Sequence, residues 1–442
     1  VYNRKLYKNV SEEYQTEIYG LSRFSSKEFD DIAPQYLRAL YLHGAHDIGH
    51  ALTDLALVGC TSFAVWNEKT RDGSLLIGRN LDFYAGDDFA ENKIVYFIKP
   101  DLGHSYVSVS FPGIIGGVSG MNLEGLTVTI NAGKSDIPWV AKTPVSILAR
   151  EILQYAGTID EAIALAKKRK VFVSESIMIG SANDGKAILL EVSPNHFGVY
   201  DVPNNSELIC ANHFQSETYK NDKKNNKHII ESHSKYRFDR MEELLEENQT
   251  ITPKEAVKIL RDKNGVKGKS IGFGNEKALN QLLAHHGIVF KPKDKLVWIS
   301  ANPYQLGEFV CYDLNKVFGS KIENNSTTSE MKTMAESNLN IEKDTFLETK
   351  AYSDYEKYRI QNREFDHYIE SKTAISEEMI SEFKSLNAEH WVVYYKIGKY
   401  YQEKKQYQKA FDNFETALTK EITTLPDRKT VEKQLKKAKR KL

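Results

Sequence analysis

Cysteine is scarce in this chain: Cys60, Cys210 and Cys311 are the only three among 442 residues. They are odd in number, widely spaced, and form no CxxC or zinc-ligand pattern, which argues against a disulfide framework and for thiols that are either buried or reactive. An excess of one charge is missing too. Sixty Lys and Arg residues balance sixty Asp and Glu residues, so no global field draws the chain to nucleic acid or an anionic membrane. No long apolar run occurs, and no helix is expected to cross a bilayer. The first residues, VYNRKLYKNV, show neither a secretory signal nor an initiating Met, which leaves a processed or trimmed start open. The compartment is equally open, an exported or cell-envelope site included.

The length exceeds one ordinary core, so two domains are expected. Residues 27–57 carry apolar side chains at three- and four-residue spacing, with Pro34 near a helix start. From Cys60 the period changes to short β-branched and aromatic runs: TSFAVWN, SLLIG, KIVYFIK, SYVSVSF and LTVTIN. Two helices follow. The first is expected to use Thr143 as N-cap with Pro144 at the first helical position, and the second to be capped by Thr158 with Glu161 completing a capping box. Strands resume with ESIMIGS and KAILLEV, joined at NDG (183–185) as a hairpin, then HFGVYDV and ELICAN. After a polar loop at 220–227 come a helix near 235–248, another capped by Thr252-Pro253, and the closing strands KLVWIS and EFVCYDL. Strands, a helix pair, then strands suit two stacked antiparallel sheets with helices outside, an α+β sandwich of four layers, αββα.

Beyond about residue 320 the polar, aperiodic segment KIENNSTTSEMKTMAESN reads as a linker (321–344). The helical, aromatic-rich remainder, 345–442, places Gly398, Tyr401, Ala410, Phe414 and Ala417 at tetratricopeptide-like spacing. A short helical appendage docked on the main domain is expected, dispensable for the chemistry and available for a protein partner or self-association.

A lone thiol is most often a space-filler, but three features single out Cys60. Gly59 precedes it, leaving no Cβ beside the carbonyl of that peptide bond. If the bond breaks, the thiol gains an α-amine of reference pKa about 7.7–8.0 as its base. The sequence GRNLDF follows the next strand, and a turn at Gly78 is expected to let Arg79 favour the thiolate while Asp82 orients the new ammonium. Asn131 and Asn212 end apolar strands, where they serve either as turn formers or as donors for an oxyanion.

Taken in order, CTS…DGSLLIGRNLDF, FPGIIGGVSGMNLEGLTVTIN and ICANHF resemble the cysteine N-terminal-nucleophile (Ntn) amidases over about residues 30–315. That superfamily includes choloylglycine hydrolases, acid ceramidase, N-acylethanolamine acid amidase and isopenicillin-N acyltransferase, and the wording is similar above all to acid ceramidase. The resemblance implies an Ntn-hydrolase αββα fold and self-cleavage between Gly59 and Cys60, giving chains 1–59 and 60 onward. It implies Cys60 as nucleophile, Arg79 beside its sulfur and Asp82 on its amine. Asn131 and Asn212 would face the oxyanion, and Arg237 would be the late arginine, with Arg240 its competitor. Acid ceramidase has an acidic residue soon after the position of Asn131; NAGKSD offers none adjacent, which counts against a ceramide substrate.

His43, His46 and His50 share one helical face, but no HExxH accompanies them, and a polar face is expected rather than a metal site. His285 and His286 are given no catalytic role. The basic end KKAKRKL reads as a solvated helix terminus, with attraction to a membrane surface second. The expectation is a hydrolase of linear, non-peptide amides working through an acyl-thioester on a small-molecule substrate, without cofactor, metal or nucleic acid. An acyltransferase sharing that intermediate, or a silent fold serving as a binding module, is the alternative.

Overall fold

The computed structural model describes residues 5–52, 59–83, 91–136, 140–203, 205–283, 285–319 and 334–442. Helices α1 (Glu12–Ser22) and α2 (Gln35–Leu52) precede the first strand. Six strands follow: β1 (Thr61–Asn67), β2 (Gly73–Leu81), β3 (Ile94–Ile98), β4 (Tyr106–Ser110), β5 (Ser119–Asn122) and β6 (Leu126–Ala132). Helices α3 (Val145–Tyr155) and α4 (Ile159–Lys167) lead to β7 (Glu175–Ser181), β8 (Lys186–Val192), β9 (Phe197–Tyr200) and β10 (Glu207–Cys210). Then come α5 (Lys223–Glu231), α6 (Ser234–Glu247) and α7 (Pro253–Leu260), followed by β11 (His286–Lys291), β12 (Leu296–Ser300), β13 (Phe309–Asp313) and the short α8 (Leu314–Gly319). The chain closes with α9 (Lys350–Ser371), α10 (Glu377–Leu386), α11 (Trp391–Glu403), α12 (Tyr407–Thr419) and α13 (Leu425–Lys439).

Two antiparallel sheets result, β10-β1-β2-β11-β12-β13 and β3-β4-β5-β6-β7-β8-β9. Strand alternation builds the layers. Along β1, Phe63 and Val65 turn outward and join Met241, Leu244, Val257 and Leu260 of α6 and α7, while Ala64 and Trp66 turn inward to meet Val107, Met121, Met178 and Leu189 of the other sheet. The outer face of the second sheet buries Val128, Ile177 and Ile188 against Leu148, Ile152 and Ala162 of α3 and α4. Each buried Val, Leu, Ile, Phe or Met side chain among these contributes about 1.5–3 kcal/mol. The four-layer αββα α+β fold read from the sequence is the fold observed.

Local signals fare unevenly. Both capping boxes form, at Thr158/Glu161 and Thr252/Glu255, and β7 and β8 pair across the expected hairpin. Thr143, however, is not a cap. Pro144 occupies the N-cap position, and the Thr143 backbone instead exchanges bonds with the segment after α4, its N–H donating to Lys170 O and its C=O accepting from Phe172 N. The polar stretch 220–227 is not simply a loop: Asp222 accepts from the backbone N–H groups of Lys224 and Asn225 and starts α5. No turn forms at Gly78 either. The strand β2 runs through it to Leu81, and a Cβ there would lie 2.5 Å from the Phe63 ring. Strands β5 and β11 went unread, although β11 sits centrally between β2 and β12. The end of the α2 segment (53–58) and most of the linker lie outside the described residues.

Helices α9–α13 share an aromatic core in which Phe365 stacks on Phe383 with centroids 4.2 Å apart and the Phe414 ring closes over Gly398. Leu282 and Leu306 belong to the same cluster. Asn387 brackets the Phe273 backbone, its Oδ1 accepting at 3.0 Å and its Nδ2 donating at 2.8 Å.

Candidate active site

Register brings the first pieces together. In the β1–β2 pairing, Ser62 faces Arg79 and Thr61 faces Asn80. Alternation therefore sends Arg79 into the space between the sheets and Asn80 outward, where its Nδ2 donates to Leu260 O and Leu279 O. Arg79 is fully buried. Its Nη2 lies 3.7 Å from the Cys60 sulfur and also donates to Ile130 O, while Nη1 donates to Val118 O and Ser119 Oγ. Burial pushes the Cys60 thiol above its ordinary value; the Arg79 charge opposes this, and Asp82 and Glu175 reinforce it. In the intact chain Cys60 is thus held neutral beside a cation positioned to receive a thiolate.

Asp82, just past β2, is wholly buried, and among the described residues neither carboxylate oxygen has a donor at bonding distance. Burial pushes its pKa up to about 7, against the pull of Arg237, the facing Gln305 amide and Arg79. An unpartnered buried carboxylate is costly. Its main-chain oxygen, by contrast, accepts from Gly59 N–H at 2.9 Å.

Arg237 on α6 reaches the same peptide from the other side. Its Nη1 donates to Gly59 O at 2.9 Å, to Cys60 O at 2.7 Å and to Thr61 Oγ1, its Nη2 to Asn212 Oδ1 at 2.6 Å, and its Nε to His233 Nδ1 at 3.2 Å. Burial lowers its pKa only to about 10, so it remains a cation. Arg240 points elsewhere, into Asp262 and Glu243. Asn131 accepts from Ser62 Oγ at 2.9 Å and donates to Cys210 O and Ala211 O, both at 3.2 Å. Asn212 Nδ2 donates to Ala132 O at 2.9 Å. The structure thus gathers Gly59, Cys60, Arg79, Asp82, Asn131, Asn212 and Arg237 around the start of β1. The side-chain amides of the two asparagines are engaged on main-chain oxygens.

Sequence reading leaves Ser119 and Gln281 unnamed at this site and takes the stretch around His286 only as pocket lining or core, without a catalytic role. His286 Nε2 lies 2.9 Å from Ser119 Oγ, and its Nδ1 lies 2.8 Å from His285 Nδ1. Because Ser119 Oγ already accepts from Arg79, its O–H is satisfied by donating to His286 Nε2. His286 then donates from Nδ1 to His285. Burial and the Arg79 charge keep both rings neutral. Gln281 Nε2 donates to Gly59 O at 3.2 Å. No periodicity or motif marks Ser119 or Gln281; β5, β11 and the loop before β11 bring the three together. His43 is a buried linchpin, Nδ1 donating to Ala39 O and Nε2 accepting from Ile115 N–H. The side chains of His46 and His50 lie outside the described residues. Among the described residues no cluster of His, Cys, Asp or Glu is arranged for a metal ion, and no helix is long and apolar enough to cross a membrane.

Facing antiparallel sheets between helical layers are the architecture of the N-terminal-nucleophile amidases and acyltransferases. The chain belongs to the acyl-coenzyme A:6-aminopenicillanic acid acyl-transferase family, whose model matches residues 66–302. It is 31% identical over 149 residues to an uncharacterized protein of Archaeoglobus fulgidus, covering 32% of this chain and 24% of that protein. It is 25% identical over 162 residues to Protein dcd1B of Dictyostelium discoideum, covering 34% and 31% respectively. The chain therefore spans about a quarter to a third of the length of these curated relatives. Among solved structures it is similar to the Caenorhabditis elegans ortholog of N-acylethanolamine-hydrolyzing acid amidase, with 18% identity, TM-score 0.38, and 53% of this chain and 93% of that one covered. It is also similar to a conjugated bile acid hydrolase mutant from Clostridium perfringens, with 16% identity, TM-score 0.40, and 61% and 97% covered.

Proposed function

We propose that this protein is a self-processing hydrolase of linear, non-peptide amides, such as N-acyl amines or N-acyl amino acids, with Cys60 as its N-terminal nucleophile. The observation that carries the reading is the gathering of three buried ionisable residues at Gly59–Cys60: Arg79 at the Cys60 sulfur, Arg237 on the Gly59 and Cys60 carbonyls, and Asp82, whose main-chain oxygen accepts from Gly59 N–H. Cleavage of that bond creates an ammonium, the partner that Asp82 lacks. Deprotonated, the new amine accepts the thiol proton, and the thiolate beside Arg79 attacks an amide carbonyl. An acyl-thioester and a free amine result, and water then releases the acid. Asn131 and Asn212 would exchange their main-chain acceptors for the oxyanion of the tetrahedral intermediate.

Intact mass of the purified protein tests the first half. Wild type should be two chains, 1–59 and 60 onward, and Cys60→Ala a single one. A wild type that turns over amides as one uncut chain would overturn self-processing. A panel of N-acyl amines and N-acyl amino acids tests the second half, with acid release and thiol acylation at Cys60 as readouts. Acyl transfer is the second reading, favoured by the acyl-transferase family match. An added amine would then appear in the product faster than water does.

A further inference from the structure

The Gly59 carbonyl is held from two directions. Arg237 Nη1 donates to it at 2.9 Å, and Gln281 Nε2 donates to it at 3.2 Å. We infer that Gln281, together with Arg237, forms the oxyanion cradle for self-cleavage at Gly59–Cys60, so that a loop more than two hundred residues downstream helps to license the cut. The inference rests on the self-processing reading and adds to it a residue and a site specific to the uncut chain.

The geometry is built rather than incidental. A Cβ on Gly59 would lie 1.9 Å from Gln281 Nε2 and 2.6 Å from its Cδ, so the amide lies flat against the glycine and only glycine leaves it room. The orientation of the amide is also determined. Its nitrogen faces two carbonyls, Gly59 O and Glu276 O, each at 3.2 Å, and an oxygen in that place would face acceptors only. The loop is pinned on both sides of Gln281. Asn280 N–H donates to Asp262 O at 2.8 Å, and Asn280 Oδ1 accepts from Leu282 N–H at 2.9 Å. Leu282 adopts a left-handed φ of 53°, and its carbonyl accepts from Tyr355 Oη of α9 at 3.2 Å.

In the reaction the Cys60 sulfur bonds to the Gly59 carbonyl carbon, and the carbonyl π electrons move to the oxygen between Gln281 and Arg237. Collapse of this oxyanion breaks the carbon–nitrogen bond; the nitrogen takes up the proton that the thiol gave, leaving a thioester. Water adds to the thioester, releasing the thiol and the Gly59 carboxylate, and the proton lost by the acid is held by the new Cys60 ammonium. Both donors already stand at this oxygen, and their hydrogen bonds shorten and strengthen as it becomes an anion, which favours the tetrahedral state over the resting peptide.

The test follows precursor and product by intact mass during cell-free synthesis of the full-length chain. Removing a single oxyanion donor commonly costs about 10²–10³ in rate, so Gln281→Met should accumulate uncut precursor with a cleavage rate lowered to that extent. Gln281→Glu supplies a signature that a merely structural role would not. An ionised carboxylate repels the oxyanion whereas a protonated one donates to it, so the rate relative to wild type should climb as pH falls from about 8 to about 5. Cleavage of Gln281→Met at the wild-type rate, or a Gln281→Glu ratio flat with pH, overturns the inference. Wild type that is never cut overturns the self-processing reading instead, and the inference with it.

Discussion

Asp82 carries a carboxyl that burial holds far from its ordinary protonation. In the intact chain its pKa stands at about 7 against an ordinary 3.8, so the folded form binds a proton that the unfolded form releases. The unfolded state holds fewer protons between those values, and stability therefore falls as pH rises from about 4 to about 7. The Cys60→Ala chain, which lacks the proposed nucleophile, should show this as a melting temperature that drops across that window, and Asp82→Asn in the same background should remove most of the drop. An equal decline in both chains would assign the titration to another group. In otherwise wild-type protein, Asp82→Asn and Arg79→Ala should each lower amide hydrolysis by about 10²–10³ while the fold is retained, measured as acid release alongside circular dichroism. At this scale the sequence was legible where chemistry demands a rare residue type: a thiol after glycine, or an arginine and an aspartate three apart. It was illegible at Ser119 and Gln281, and at His286 it gave a place in the pocket or core but no partner; these are polar residues whose contacts come only from the strands and loop that bury them.

Elements were readable where their signals are local. The Thr158 and Thr252 caps and the NDG hairpin are each determined within four or five residues, and each formed. The strand β5, only SGMN, carries little apolar pattern, and β11 hides behind two histidines; both exist because neighbouring strands supply their partners. Gly78 teaches the same lesson in reverse. It looked like a turn because glycine so often makes one, yet it is a strand residue whose missing side chain admits the Phe63 ring. Gly78→Ala should therefore cost about 1–3 kcal/mol in denaturant unfolding through overpacking. Phe63→Leu in the same chain should recover part of that loss, whereas strictly additive losses would show that the ring is not what glycine accommodates.

The whole molecule is more tightly joined than its sequence suggests. The expectation that the region after about residue 345 is dispensable for the chemistry came from the location of the reactive residues, all of which precede it. In the fold, Leu282 and Leu306 share the aromatic core of α9–α13, and Asn387 and Tyr355 hold the loop that carries Gln281. Deleting residues 345–442 would uncover those side chains and free the loop. The truncated chain should accumulate uncut, and Asn387→Ala should slow the cut while leaving the chain folded; intact mass and melting curves read both. Prompt cleavage of the truncation would restore the view of the tail as a separable appendage.

A further consequence belongs to the segment ahead of the cut. Leu6, Tyr14 and Ile18 anchor it in a core with Ile115, Ala141 and Ile147, and its last residue lies beneath Arg237 and Gln281. Scission replaces the Gly59 carbonyl by a carboxylate, which a guanidinium grips harder than a neutral oxygen. On the proposed reading, the cut chain would emerge corked by its own severed end. Ripening would then have two clocks, one for breaking the bond and one for drawing the cork. A lag between complete scission and the first turnover would record the interval between them.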